Sequence, residues 1–139
     1  MKKTICHISS AHDADDIRIF QKECASLAKA GYNVYYVVAN AESRNVDGVT
    51  VVSVPVKSAN PLFRFFISAR KVYRVALSIN ADIYHFHDIE LFRYGVKLKS
   101  RGFKVIFDSH ENWIGYVDEI SWLPSPLKML STRIIRRWY

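Results

Sequence analysis

The chain has 139 residues, half of them apolar and 14% aromatic, enough for one domain with a hydrophobic core and too apolar for a disordered chain. No apolar run approaches the roughly 20 residues that cross a bilayer, and MKKTICHISS has a basic tip without the hydrophobic stretch of a signal peptide. The net charge of +7 is uneven: 57–81, 91–107 and 123–139 carry bases and no acids. Such surfaces suit anionic lipid or phosphorylated ligands as well as plain solvation. Nucleic acid is not expected as a partner, because no RNA or DNA motif accompanies the bases.

KTICHIS (3–9) reads as a buried first strand, followed by the polar loop SAHDADD. In IRIFQKECASLAKAG, Ile17, Phe20, Cys24, Leu27 and Ala28 recur at helical spacing, and Gly31 stands where a left-handed C-terminal cap is wanted. NVYYVVA (33–39) and VTVVSVPV (49–56) read as strands, with ESRNVDG as the turn between them. A helix over 61–79 begins at Pro61, and ADIYHFH is a fourth strand. DIELFRYGVKLKSRG is a helix that Asp88 is placed to cap, and FKVIFDS is a fifth strand. Ser125-Pro126 starts a last helix, and the chain is expected to end within it. The alternation predicts an α/β, Rossmann-like, mostly parallel sheet in the order 3-2-1-4-5 with helices on both faces, as one domain over 1–139. Cys6 and Cys24 are expected to be reduced, buried thiols of a cytoplasmic protein.

Ligands of open parallel sheets bind beyond the carboxyl ends of the strands, and the polar residues gather there. His12 and Asp13 follow strand one; His87, Asp88 and Glu90 follow strand four; His110 and Glu111 follow strand five. His85 and His87 share a strand face as metal ligands would, but HFHDIE is not followed by a further histidine, so no metal is expected. Neither a G-x-S-x-G elbow nor a glycine-rich phosphate loop occurs, which leaves acid–base chemistry or recognition of hydroxyls by imidazole and carboxylate. A metal-dependent hydrolase built on the HFH pair stays open, as does a non-catalytic binding or membrane-docking module.

Three pieces in order, HISSAHDADDIRIFQKECASLAKAGYNVYYV, DIYHFHDIELFRYG and KVIFDSHEN, resemble the N-terminal domain of GT-B glycosyltransferases of family four over essentially the whole chain. The resemblance implies retaining transfer from a nucleotide sugar (a UDP- or GDP-sugar) to a glycan or lipid-linked acceptor, without a cofactor or catalytic metal. It implies a catalytic role for His110, and an acceptor side lined by His12, Asp13, His87, Asp88 and Glu90. Arg18 and Glu111 fall on the donor side. A C-terminal donor-binding domain is implied as a partner and is missing here, so the isolated chain is expected to be inactive. Many relatives carry a glycine pair in the first loop where this chain has AHDADDIR.

Helix 61–79 carries Arg64, Arg70, Lys71 and Arg74 among phenylalanines and no acid. Leu62, Phe65 or Phe66, Ala69, Val72 and Ala76 form the stripe expected to face the sheet. Phe63 and Ile67 are left beside Arg70 and Arg74. That pattern suits peripheral contact with the inner face of a membrane.

Overall fold

The computed structural model describes residues 2–56 and 64–109, together with Ser125, Pro126, Met129, Thr132 and Arg133. The chain divides into two compact units, Met1–Asp108 and Ser109–Tyr139. In the first, β1 (Thr4–Ser9) leads into a wide-turned helical segment (Ile17–Cys24) that continues as α1 (Ala25–Lys29). Next come β2 (Asn33–Ala39), β3 (Arg44–Val46) and β4 (Val49–Val54). A second wide-turned segment (Arg64–Ser68) runs into α2 (Ala69–Ile79). The order continues with β5 (Ile83–Phe86), a 3-10 turn (Ile89–Leu91), α3 (Phe92–Ser100) and β6 (Lys104–Phe107).

The six strands form one sheet in the order β3-β4-β2-β1-β5-β6. This overturns the expected five-strand order 3-2-1-4-5. The difference lies in ESRNVDG, read as a turn, which contributes β3 as an edge strand antiparallel to β4, while all other pairings are parallel. Val46 pairs with Val49 across Asp47 and Gly48, whose φ of 53° and 77° are the two positive values of a tight hairpin turn. The expected ending within a helix is not supported either. Ser125, Pro126, Met129, Thr132 and Arg133 are helical, but residues 134–139 lie outside the described residues.

Side chains alternate across the sheet, and two apolar clusters show which helices cover each face. Val34, Tyr36 and Val38 of β2 pack with Ile19, Phe20 and Cys24 of the first helix. Val37 packs on the other side with Cys6, Ile8, Tyr84 and Phe86 against Ala69, Val72, Tyr73 and Ala76 of α2. Ile17, expected on the buried stripe, is 63% exposed, and Ile19 takes its place. On the second helix Ala69, Val72 and Ala76 face the core as expected, but Phe66 is exposed with Arg93 over its ring. Gly31 has a φ of 92°, and its amide donates to Ala28 O, closing the first helix in the left-handed cap the sequence anticipates. Cys6 and Cys24 are both free and buried, and burial raises the pKa of both thiols.

Gly95 is required for a different reason. A Cβ there would run into Cε1 and Cζ of Phe86, whose ring is buried and stacked on Phe107 at 4.8 Å. Helix propensity alone favours Gly95→Ala by about 1 kcal/mol. Overpacking should reverse the sign and leave the variant about 1–3 kcal/mol less stable by urea denaturation. A variant as stable as the parent would show that Phe86 yields.

Candidate functional site

Parallel pairing sets His7 of β1 opposite His85 of β5. Since Cys6, Ile8, Tyr84 and Phe86 point to the α2 face, both histidines point to the opposite one, under the Ile17–Cys24 segment. His87, one residue beyond β5, joins them, with its ring 5.5 Å from His7 and 4.5 Å from His85. His7 Nδ1 and His87 Nε2 are 3.2 Å apart. Glu23 reaches in from the helix, its Oε2 3.7 Å from His7 Nδ1, 3.8 Å from His85 Nδ1 and 3.7 Å from His87 Nε2. Four ligating atoms thus lie within 4.8 Å of one another. The further partners that HFHDIE lacks in sequence come from β1 and the first helix.

Burial governs the protonation of this cluster. It lowers the pKa of His7 to about 2 and that of His87 to about 3, all the more because no more than one imidazole of the group can readily take a proton, and it lowers that of His85 as well. All three imidazoles are therefore neutral at pH 7. Burial raises the pKa of Glu23, against the pull of Arg18. Arg18 Nη1 donates to Glu23 Oε1 at 3.2 Å and also pairs with Asp108, whose Oδ2 stands 3.4 Å from His87 Nδ1.

Beside the cluster, the end of β5 is tied to the loop after β1. Asp88, expected to cap the following helix, makes no such bond. Its Oδ2 instead accepts from Ser10 N at 2.6 Å, Ser9 Oγ at 2.9 Å and Ala11 N at 3.3 Å. Its Oδ1 pairs with His12 Nδ1 at 2.8 Å. Glu90 is buried and accepts from Ser10 Oγ at 3.2 Å. The hydrogen bond to Asp88 raises the pKa of His12. Burial alone would raise that of Asp88, but the bonds from His12 and the Ser10 amide outweigh it and hold it below the usual carboxylate range.

The structure thus brings together His12, His87, Asp88, Glu90 and Arg18 at the carboxyl ends of β1 and β5. Asp13 is exposed and contributes its carbonyl, which accepts from Tyr36 Oη at 3.2 Å. The other loop acids are engaged elsewhere: Asp15 pairs with Arg44, and Asp16 caps the first helix through the amides of Arg18 and Ile19. His110 and Glu111 lie outside the described residues. The sequence reading did not include His7, His85, Glu23 or Asp108 in the site. The available signal for Glu23 was its place in RIFQKE, within the stretch that carries the family resemblance, where Arg18 and Glu23 meet because the segment is wound wide.

The His12–Asp88 pair has a defined pH window. His12 has a raised folded pKa, so its contribution is complete below 6.5 and is lost as pH rises through that folded value. Asp88 has a lowered one, so its contribution is present above 3.8 and is lost as pH falls through its folded value. NMR titration should give His12 a midpoint above 6.5, moving back toward 6.5 in Asp88→Asn. A midpoint at or below 6.5 in the parent chain would contradict the pairing.

No curated protein matches the chain. A family profile does: the one described as Glycosyltransferase Family 4 matches residues 20–139. With most of the chain inside that match, and with an α/β sheet carrying polar residues at its carboxyl ends, the chain belongs to glycosyltransferase family 4 as a GT-B-type N-terminal domain, a family of sugar-transferring enzymes.

Proposed function

We propose that this domain forms the acceptor side of a retaining glycosyltransferase that moves a sugar from a UDP- or GDP-sugar to a glycan or lipid-linked acceptor at the cytoplasmic side of a membrane. The observation that carries this reading is the His12–Asp88 pair at the carboxyl ends of β1 and β5. An imidazole whose protonated form a buried carboxylate favours offers a fixed donor, and the exposed Asp13 carboxylate of the same loop can accept, which is the pairing that sugar hydroxyls need. In this reading His12 and Asp13 face the acceptor with Asp88 and Glu90 beside them, and His87, buried among His7, His85 and Glu23, supports them from within. Arg18, steadied by Glu23 and Asp108, lies toward the donor with Glu111. His110 contacts the reacting sugar and is the catalytic residue.

The test is transfer from a labelled nucleotide sugar with a family-four donor-binding domain supplied. His110→Ala and His12→Ala should each lower turnover per folded molecule at least ~10-fold, and His12→Ala should also lower the thermal transition, because it leaves the buried Asp88 without its imidazole partner. Turnover unchanged per folded molecule would reduce both histidines to structural roles. No turnover with the donor domain present would favour a non-catalytic binding module.

Membrane contact is the second part of the proposal. Among the described residues no helix is long and apolar enough to cross a membrane. Arg70 and Arg74 are exposed on α2, Phe66 is 54% exposed just before it, and the helix carries no acid. Phe63 and the other residues of 57–63 lie outside the described residues. Bases near an anionic surface contribute about 1 kcal/mol each. Sedimentation should show binding to anionic but not neutral vesicles, weakened by salt and by charge reversal at Arg70 and Arg74. Equal binding to both kinds of vesicle would point to a soluble acceptor.

A further inference from the structure

The cluster of His7, Glu23, His85 and His87 has a geometry that hydrogen bonding among its members does not explain. Glu23 Oε2 is buried without a hydrogen-bond partner, although three imidazole nitrogens surround it at 3.7–3.8 Å. A proton shared between His7 and His87 satisfies two nitrogens and leaves that oxygen unpaired. A buried carboxylate oxygen without a donor is costly, so something else should draw these four atoms to one point.

The separations indicate what it is. Ligands about 2.0–2.1 Å from a tetrahedral ion stand roughly 3.3–3.4 Å apart. Four of the six separations here are 3.2, 3.7, 3.7 and 3.8 Å, and all six stay within 4.8 Å. A water at the centre would hold its neighbours at about 2.7–3.0 Å, and so roughly 4.4–4.9 Å from one another. Movements of a few tenths of an ångström close the shorter set on a metal ion.

We propose that His7 Nδ1, Glu23 Oε2, His85 Nδ1 and His87 Nε2 bind one zinc ion in a closed, four-coordinate site that clamps β1, the first helix and the end of β5 together. Three imidazoles and one carboxylate suit zinc better than calcium or magnesium, which want an all-oxygen shell. Burial keeps the imidazoles neutral, with lone pairs available. Asp108 stands 3.4 Å from His87 Nδ1, where it would orient the ring and raise its basicity, and Arg18 bonds both Glu23 Oε1 and Asp108. The chain supplies all four ligands, so no position is left for substrate. The ion's role is to fix the loop of His12 and Asp88, not to act on a sugar. The site depends on no reading of the transferase reaction.

Elemental analysis and cobalt titration of the chelator-treated 139-residue chain test it without an activity assay. The expected result is about one zinc per chain as purified, and saturable cobalt binding with the intense visible bands of tetrahedral coordination, displaced by zinc. Asp108→Asn keeps all four ligands and should weaken metal binding about 10–100-fold. Glu23→Gln and His85→Ala, folded by circular dichroism, should lose the tetrahedral spectrum. Should those variants not fold, the titration of the parent chain still decides. A folded parent chain without saturable cobalt binding, or with a weak octahedral spectrum, overturns the proposal. So does undiminished affinity in both ligand variants.

Discussion

The register between β1 and β5 is the constraint on which the site depends. With His7 opposite His85, Cys6, Ile8, Tyr84 and Phe86 fall on the face covered by α2, and the imidazoles fall on the other. A slip of one residue would exchange the two sets and bury the imidazoles among aliphatic side chains. Polar side chains at the centre of a sheet need a polar group above them, and Glu23 is the one the covering helix places there, 3.7–3.8 Å from each imidazole. The apolar cluster under the first helix accordingly draws on β2 and β4, through Val34, Tyr36, Val38, Val49 and Val51. Beneath Glu23, β1 and β5 present histidines instead.

The winding of the helix follows from the same demand. On an ideal α-helix, residues five apart are separated by about 140° around the axis. Arg18 and Glu23 nevertheless share a face, joined at 3.2 Å, because the segment makes wide turns. Gln21 N reaches back to Asp16 O at 3.4 Å, a five-residue step. Such turns are rare and concentrate at functional sites, where a side chain must be re-aimed. Here the re-aiming lets one helix cap itself with Asp16, bury Ile19 and Phe20, and deliver Glu23 to the histidines.

Much of the fold was readable because each long element carries its period. The strand NVYYVVA, the strand expected over 49–56 and found over 49–54, the helix expected over 61–79 and found α-helical over 69–79, and the cap at Gly31 declared themselves by apolar spacing or by glycine. The edge strand Arg44–Val46 did not, being three residues long with no buried residue of its own. Its one signal was Asp47-Gly48, a hairpin dipeptide. Assuming α-helical spacing placed Ile17 inside and missed Ile19, for the same reason that it separated Arg18 from Glu23. Asp88 was misread because its position before a helix is the ordinary one for a cap, whereas its partners Ser9, Ser10, Ala11 and His12 lie far away in sequence, in the loop after β1. Contacts of that range are set by strand order, and no local pattern contains them.

Asp88 also accounts for the absence of a glycine pair in the first loop. Glycines there would allow backbone amides to turn outward toward a phosphate. In this chain the amides of Ser10 and Ala11 turn inward to the Asp88 carboxylate, so the loop needs no left-handed residue and carries its charge on side chains. The exchange replaces an anion site made of backbone with a buried carboxylate that orients His12. Charge at the carboxyl ends of β1 and β5 is then carried by an imidazole whose protonated form Asp88 favours, and by Arg18, which pairs with Glu23 and Asp108. Histidine cluster, helix and loop therefore form one connected polar network. A change at any of Glu23, Asp88 or Asp108 should be felt at all three, because each carboxylate joins two elements through polar contacts.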